Sequence, residues 1–315
     1  MTQPRLTTVV RTQGNSRALK EGSIAPRTCL LEFDDAPGLI DAFRRMVRGM
    51  EFDVCEMALS TYVCARAHGK RFTALPIFPV RAFHHGAIVC GRAAGARIPR
   101  DLEGREVGVN RGYTVTTGVW ARSILQREYG VDLDRITWIL SGDEHVAEYK
   151  LPSNVLPIAP GRKMSELVAS GELAAGIGIE ADLPGLRLLI PGAAEAGFTA
   201  LREHGHYPIN HLIVVKDEIL DAHPGVATDL FDAFARAKRG YVEALKSGRI
   251  EASTPADDVY RRVMEITGKD PLPYGIEPNR QVLEGFLQDL AVQRIIDRPV
   301  GVDELFHPET RSLVG

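Results

Sequence analysis

The segment Pro76–His85, PIFPVRAFHH, places one guanidinium and two imidazoles behind a pair of prolines. A guanidinium is a planar fork that grips a carboxylate with two hydrogen bonds, so Arg81 is suited to hold a small organic anion. In an extended chain neighbouring side chains point to opposite sides. His84 and His85 therefore do not both share Arg81's cavity, and His85, immediately before the next strand, is the better placed. The plain alternative is a surface loop whose Arg and His are simply solvated. A second cluster is VNRGYTVTTGVW, Val109–Trp120, where a strand ends, Gly112 turns the chain, and Thr114, Thr116 and Thr117 lead into a helix. Backbone N–H groups at a helix start, joined by hydroxyls, form an anion site, with Arg111 and Tyr113 as further contacts. The competing role is capping, which would occupy one threonine.

The third cluster is HGHYPINH, His204–His211. Three histidines in eight residues raise the question of a metal, yet no Asp or Glu lies between His206 and His211 to complete a ligand set. His211, with Asn210 beside it, just precedes a strand. Because imidazole titrates near neutral pH, His211 is a better general acid than a ligand. The fourth is EMALSTY, in which Glu56 falls inside an apolar strand. A buried carboxylate is costly unless partnered, so an Arg partner or a site role is expected. Ser60, Thr61 and Tyr62 are read as a polar turn that caps the following helix and can donate to a ligand.

Holding these residues requires strands that end where the polar groups begin. Strands are expected at Leu6–Thr12, Phe52–Leu59, Phe72–Phe78, Ala87–Cys90, Glu106–Val109, Ile136–Leu140, Ala174–Ile179 and Ile209–Val215. Helical spacing of Leu39, Ile40, Phe43, Met46 and Val47 predicts a helix over Ala36–Met50, with Asp34 or Asp35 as its cap. Further helices are expected at Val119–Tyr129, Met164–Ser170, Gly225–Ser247, Pro255–Thr267 and Asn279–Gln293. Strand–helix alternation implies open, mostly parallel α/β sheets, whose ligands sit at the carboxyl ends of the strands. Chain crossings near Ala87–Cys90 and Leu212–Val215 would give two lobes, 1–88 with 212–315 and 89–211, hinged about a central cleft.

With 315 residues, 44% of them hydrophobic and 25% charged, and a net charge of −3, the chain reads as a soluble α/β protein. Its Lys and Arg residues are interspersed with acids, which argues against nucleic acid as a partner. No apolar run approaches the roughly 20 residues of a membrane helix. The N-terminal stretch MTQPRLTTVV lacks a secretory apolar segment, and the four cysteines show neither CxxC pairing nor disulfide density. A reduced, cytoplasmic setting is expected, as is assembly into a homo-oligomer.

EMALSTY, PIFPVRAFHH, DLEGREVGV, VWARSILQREYGV, HYPINHLIVVKDEI and DPLPYGIEPNRQVLEGF together resemble the 4,5-dihydroxyphthalate decarboxylase family. The likeness runs from Arg17–Lys20 to LFHPET, and its most specific motifs are Phe78–His85 and PYG-x-EPNR, Pro273–Arg280. It implies a type II periplasmic-binding-protein-like fold, a small aromatic carboxylate substrate, and decarboxylation without a cofactor. Two departures from the family pattern fall on expected site residues: Phe83-His84-His85 in place of FRH, and Asn110–Tyr113 in place of a glutamate-bearing loop. On this reading Arg81 and Arg111 supply cations, and His85 or His211 supplies a proton. Ser60, Thr116 and Thr117 orient the ring hydroxyls or carboxylates, and Thr61, Tyr113, His84, Glu56 and Asn210 are further substrate contacts. A binding protein for a small anion, using the same residues without chemistry, is the competing reading. A metal-dependent lyase rests on histidine count alone.

Overall fold

The computed structural model describes residues 3–34, 36, 38–92, 96–298 and 300–315. Its strands are β1 (Arg5–Val9), β2 (Leu30–Phe33), β3 (Val54–Ala58), β4 (Phe72–Arg81), β5 (Ile88–Gly91), β6 (Glu106–Val109), β7 (Thr137–Leu140), β8 (Val155–Pro157), β9 (Ala175–Ile177), β10 (Leu186–Leu188) and β11 (Ile209–Lys216). They form two mixed sheets, ordered β2-β1-β3-β11-β4 and β10-β5-β9-β6-β7-β8. Two compact units result: Met1–Arg81, Ile209–Leu287 and Val300–Gly315 make the first, Ala82–Pro208 and Gln288–Pro299 the second. The sequence predicts 288–299 in the first unit with the other C-terminal residues, whereas the structure groups them with the second. Hydrogen bonds explain the difference: Gln293 accepts from Arg122 Nε at 2.8 Å and donates to Val119 O and Ser123 Oγ, and Asp289 pairs with Arg127.

In the first unit, β1 pairs in parallel with β2 and β3, while β11 runs antiparallel between β3 and β4. Helix Leu39–Gly49 buries Ala42, Phe43, Met46 and Val47, the i, i+3, i+4 stripe of an amphipathic helix. Ile40, expected on that stripe, is exposed. The helix starts from Gly38 without a side-chain cap, so Asp34 does not cap it, and Asp35 lies outside the described residues. Helix Pro255–Thr267 has the full signature: Asp257 accepts from the Thr254 N–H, Thr254 Oγ1 accepts from the Asp257 N–H, and Gly268 closes the helix at φ 65°.

Strand β4 does not stop at Phe78; it runs through both prolines to Arg81. Proline has no N–H for the ladder, and the β4–β11 register shifts on either side of His211, between Ile209 and Ile213. The proline carbonyls are still used, by the Gly275 N–H on Pro76 O and by Asn15 Nδ2 on Pro79 O. In the second unit, Val89, Ile139, Met164, Leu167, Val168, Leu173 and Leu186 form one core cluster. Strand β5 begins at Ile88, because His85–Ala87 forms a 3₁₀ turn.

Candidate functional site

Because β3 and β4 point the same way, opposite to β11, the ends of β1, β3 and β4 and the start of β11 share one edge of the first sheet. Charged and titratable side chains collect there. Glu56 lies on β3 and His211 sits opposite Ala58 on β11, so the two are diagonal neighbours on one face. The Glu56 side chain is 0% exposed, and its Oε1 lies 2.6 Å from His211 Nδ1. Its Oε2 accepts from the Arg11 N–H at 2.9 Å. The expected partner for this buried carboxylate is therefore chiefly a histidine; the Arg11 guanidinium stands 3.9 Å away. An ionised carboxylate only accepts, so it fixes Nδ1 as the donor and leaves Nε2 at the other side of the ring. Phe43 packs edge-on against that ring at 5.2 Å, and the His211 side chain keeps 13% of its surface exposed.

Arg81 closes β4. Its Nη1 donates to Asn279 Oδ1 at 2.7 Å, and Asn279 Nδ2 is held by the carbonyls of Pro273 and Gly275. The two most specific sequence motifs thus meet in one hydrogen bond. The Arg81 N–H donates to the Tyr260 hydroxyl, whose pKa burial pushes up to about 12. Asn210, on β11, is buried. Ser60 and Thr61 are not a capping turn. Both lie fully buried inside helix Leu59–Ala67, which starts from Ala58 without a side-chain cap. Tyr62 is structural: its hydroxyl donates to Leu305 O and accepts from the Ala74 N–H.

The other candidates belong to the second unit. His84 is buried, and the His85 ring is 0% exposed with Nε2 at 2.8 Å from Glu128 Oε2. Proximity in sequence to Arg81 does not put these histidines in the same compact unit. Tyr113 and Thr114 do form an anion site, and a side chain of the chain itself fills it. Glu144 accepts from the Tyr113 N–H, from the Thr114 N–H at 3.0 Å and from Thr114 Oγ1 at 2.5 Å. No threonine caps the helix Thr116–Arg127; Val115 precedes it, Thr116 is its first residue and Thr117 its second.

Arg111 takes a left-handed φ of 70°, its N–H donating to Ser141 Oγ at 2.7 Å, and burial lowers the pKa of its guanidinium. Arg122 stacks on the Tyr113 ring at 3.8 Å and donates to Tyr113 O. Burial raises the Tyr113 phenol. Among the described residues no group of three or more His, Cys, Asp or Glu is placed to hold a metal. His204 is exposed at a helix end beside Glu203, and His206 packs on Trp120 at 5.2 Å. The same set of residues contains no helix long and apolar enough to cross a membrane.

Sequence reasoning missed three participants: Arg11, Tyr260 and Glu144. Arg11 was hidden inside an overlong strand; the charge that interrupts TTVV is the signal that marks the strand's end.

No protein-family profile matches the chain. Among solved structures, it resembles the periplasmic aliphatic sulphonate binding protein SsuA from Escherichia coli, with a TM-score of 0.54 at 11% identity, covering 97% of this chain and 98% of that one. The desulfurization enzyme DSZB gives a TM-score of 0.54 at 14% identity, covering 98% and 97%. A Candida albicans protein exhibiting the generic periplasmic binding protein structural fold gives 0.53 at 12% identity, covering 94% and 91%. These establish the fold. Among curated proteins, a 4,5-dihydroxyphthalate decarboxylase from Comamonas testosteroni is 31% identical over 284 residues, 85% of this chain and 86% of the relative. A Pseudomonas putida protein of the same name is 36% identical over 146 residues, 44% of this chain and 56% of the relative. Likeness of this extent to the Comamonas protein places the chain in the 4,5-dihydroxyphthalate decarboxylase family.

Proposed function

We propose that the protein removes one carboxylate from a hydroxylated aromatic diacid of the 4,5-dihydroxyphthalate type, without a cofactor. The observation that carries this reading is the match to a curated decarboxylase across 284 residues. The Glu56–His211 pair at the sheet edge supplies a chemistry to go with it.

A ring hydroxyl para to the departing carboxylate pushes electron density onto the carbon that bears it. A proton from His211 Nε2 forms the new C–H bond at that carbon. The C–C bond then breaks, its electron pair restores the aromatic ring, CO₂ leaves, and solvent returns a proton to the imidazole. Glu56 orients the ring of His211 and balances the imidazolium charge. Arg81, steadied by Asn279, holds a substrate carboxylate. Positioning and fixed charge provide most of the acceleration. His211 is preferred over His85 as the donor because His85 is sealed, with Nε2 committed to Glu128. Asn210, on β11 beside His211, is a further candidate contact, and the cytoplasm is the setting we infer.

The test is incubation of the purified protein with 4,5-dihydroxyphthalate in D₂O. The expected result is CO₂ and 3,4-dihydroxybenzoate carrying one ring deuterium where the carboxylate left. Saturable binding with no CO₂ would instead establish an anion-binding protein.

A further inference from the structure

We propose that Arg11 is a second anion-holding residue at this sheet edge, paired with Arg81 to match the two carboxylates of a diacid. The proposal rests on the reading above and names what selects a diacid over a monoacid.

Strand β1 ends at Val9, so Arg11 leaves the sheet on the side of β3 away from β11. The order β1-β3-β11-β4 sets Arg11 and Arg81 on opposite flanks of the Glu56–His211 pair. Their strands lie three spacings apart, about 14 Å, a span that two long side chains close by leaning inward. The backbone of Arg11 is fixed by its N–H on Glu56 Oε2 and by Ser16 Oγ donating to its carbonyl at 2.6 Å. Asn15, in the same loop, donates to Pro79 O, two residues before Arg81.

The guanidinium itself is not fixed. At 3.9 Å from Glu56 Oε1 it is beyond hydrogen-bond length, and 49% of the side chain is exposed. Its donors are available to a ligand. Both guanidinium charges, of Arg11 and of Arg81, are felt at the Tyr260 hydroxyl. A carboxylate held by Arg11 lies beside the Glu56–His211 pair.

Calorimetric binding of phthalate and of 3,4-dihydroxybenzoate to wild type, Arg11→Met and Arg11→Lys tests the idea. Phthalate lacks the para hydroxyl that drives the reaction, so it reports binding alone. Loss of a charged hydrogen bond predicts that Arg11→Met binds phthalate about ten- to a hundredfold more weakly. The monoacid, served by Arg81, should change less than about threefold, and Arg11→Lys should recover part of the loss because the charge returns without the fork. Unchanged phthalate affinity in Arg11→Met, or equal loss for both ligands, overturns the assignment. So does a wild type that does not bind phthalate. Arg11-dependent phthalate binding in a wild type that releases no CO₂ refutes the decarboxylase reading and upholds Arg11.

Discussion

If Glu56 and His211 act as one device, removing both should cost no more than removing His211 alone. His211→Asn deletes the transferable proton, a loss of about 10²–10⁴-fold in kcat for a general acid. Glu56→Gln keeps the shape but not the charge. The carboxylate accepts two hydrogen bonds, from His211 Nδ1 and the Arg11 N–H; one amide oxygen can serve one of them, and the amide NH₂ faces the other. A lost charge-assisted hydrogen bond of about 1.5–3 kcal/mol corresponds to roughly 10–150-fold in rate. Independent action would multiply these to about 10³–10⁶-fold in the double variant. Coupled action leaves the double variant at the level of His211→Asn, because Glu56 then has no imidazole to orient. The assay is kcat at saturating substrate for the four proteins, with circular dichroism confirming that each is folded. A double variant slowed by the product of the two single effects would refute the dyad.

Glu144→Ala should destabilise the fold by about 2–4 kcal/mol, read from the urea midpoint, since two backbone N–H groups and a hydroxyl lose their acceptor in a buried turn. Arg81→Lys should weaken phthalate binding by about 1.5–3 kcal/mol in calorimetry, because a lysine cannot grip Asn279 and a carboxylate together. Asn279→Ala should weaken it in the same direction by releasing Arg81, and wild-type affinity in both variants would remove Arg81 from the site. Turnover should persist after exhaustive chelation; activity lost to chelator and restored by zinc would promote the histidines to ligands.

Most of the longer helices and most core strands were legible because their periodicity is strong, as in Phe43, Met46 and Val47; helices Ala193–His204 and Asp217–Ala222 were not. Strands β2, β8 and β10 were not. They are short edge strands that bury at most one residue each, and β8 ends in a proline. The demand of Glu56 for a partner followed from burial alone, but not the identity of the partner, which lies 155 residues along the chain. Ser60 and Thr116 misled for a local reason: each helix starts from an extended Ala58 or Val115, so the hydroxyls fall one or more residues inside. The turn at Tyr113–Thr114 had the donors of an anion site, and only its three-dimensional packing shows Glu144 as the occupant. The Arg81–Asn279 bond joins residues 198 positions apart, a separation no local pattern encodes.

The contacts of Gln293 also bear on biosynthesis. The guanidinium of Arg122, wholly buried, depends on that side chain for one of its hydrogen bonds, and the first unit is completed only by Val300–Gly315. Neither unit can therefore close while the chain is still short. At a synthesis rate of roughly 5–20 residues per second, helix Thr116–Arg127 waits on the order of ten seconds or more for its partner to be made. During that interval a charged group that is costly to bury unpaired has Tyr113, the Trp138 ring and solvent to satisfy it. A ribosome-bound chain is open to chaperones and proteases until residues 288–315 have been made.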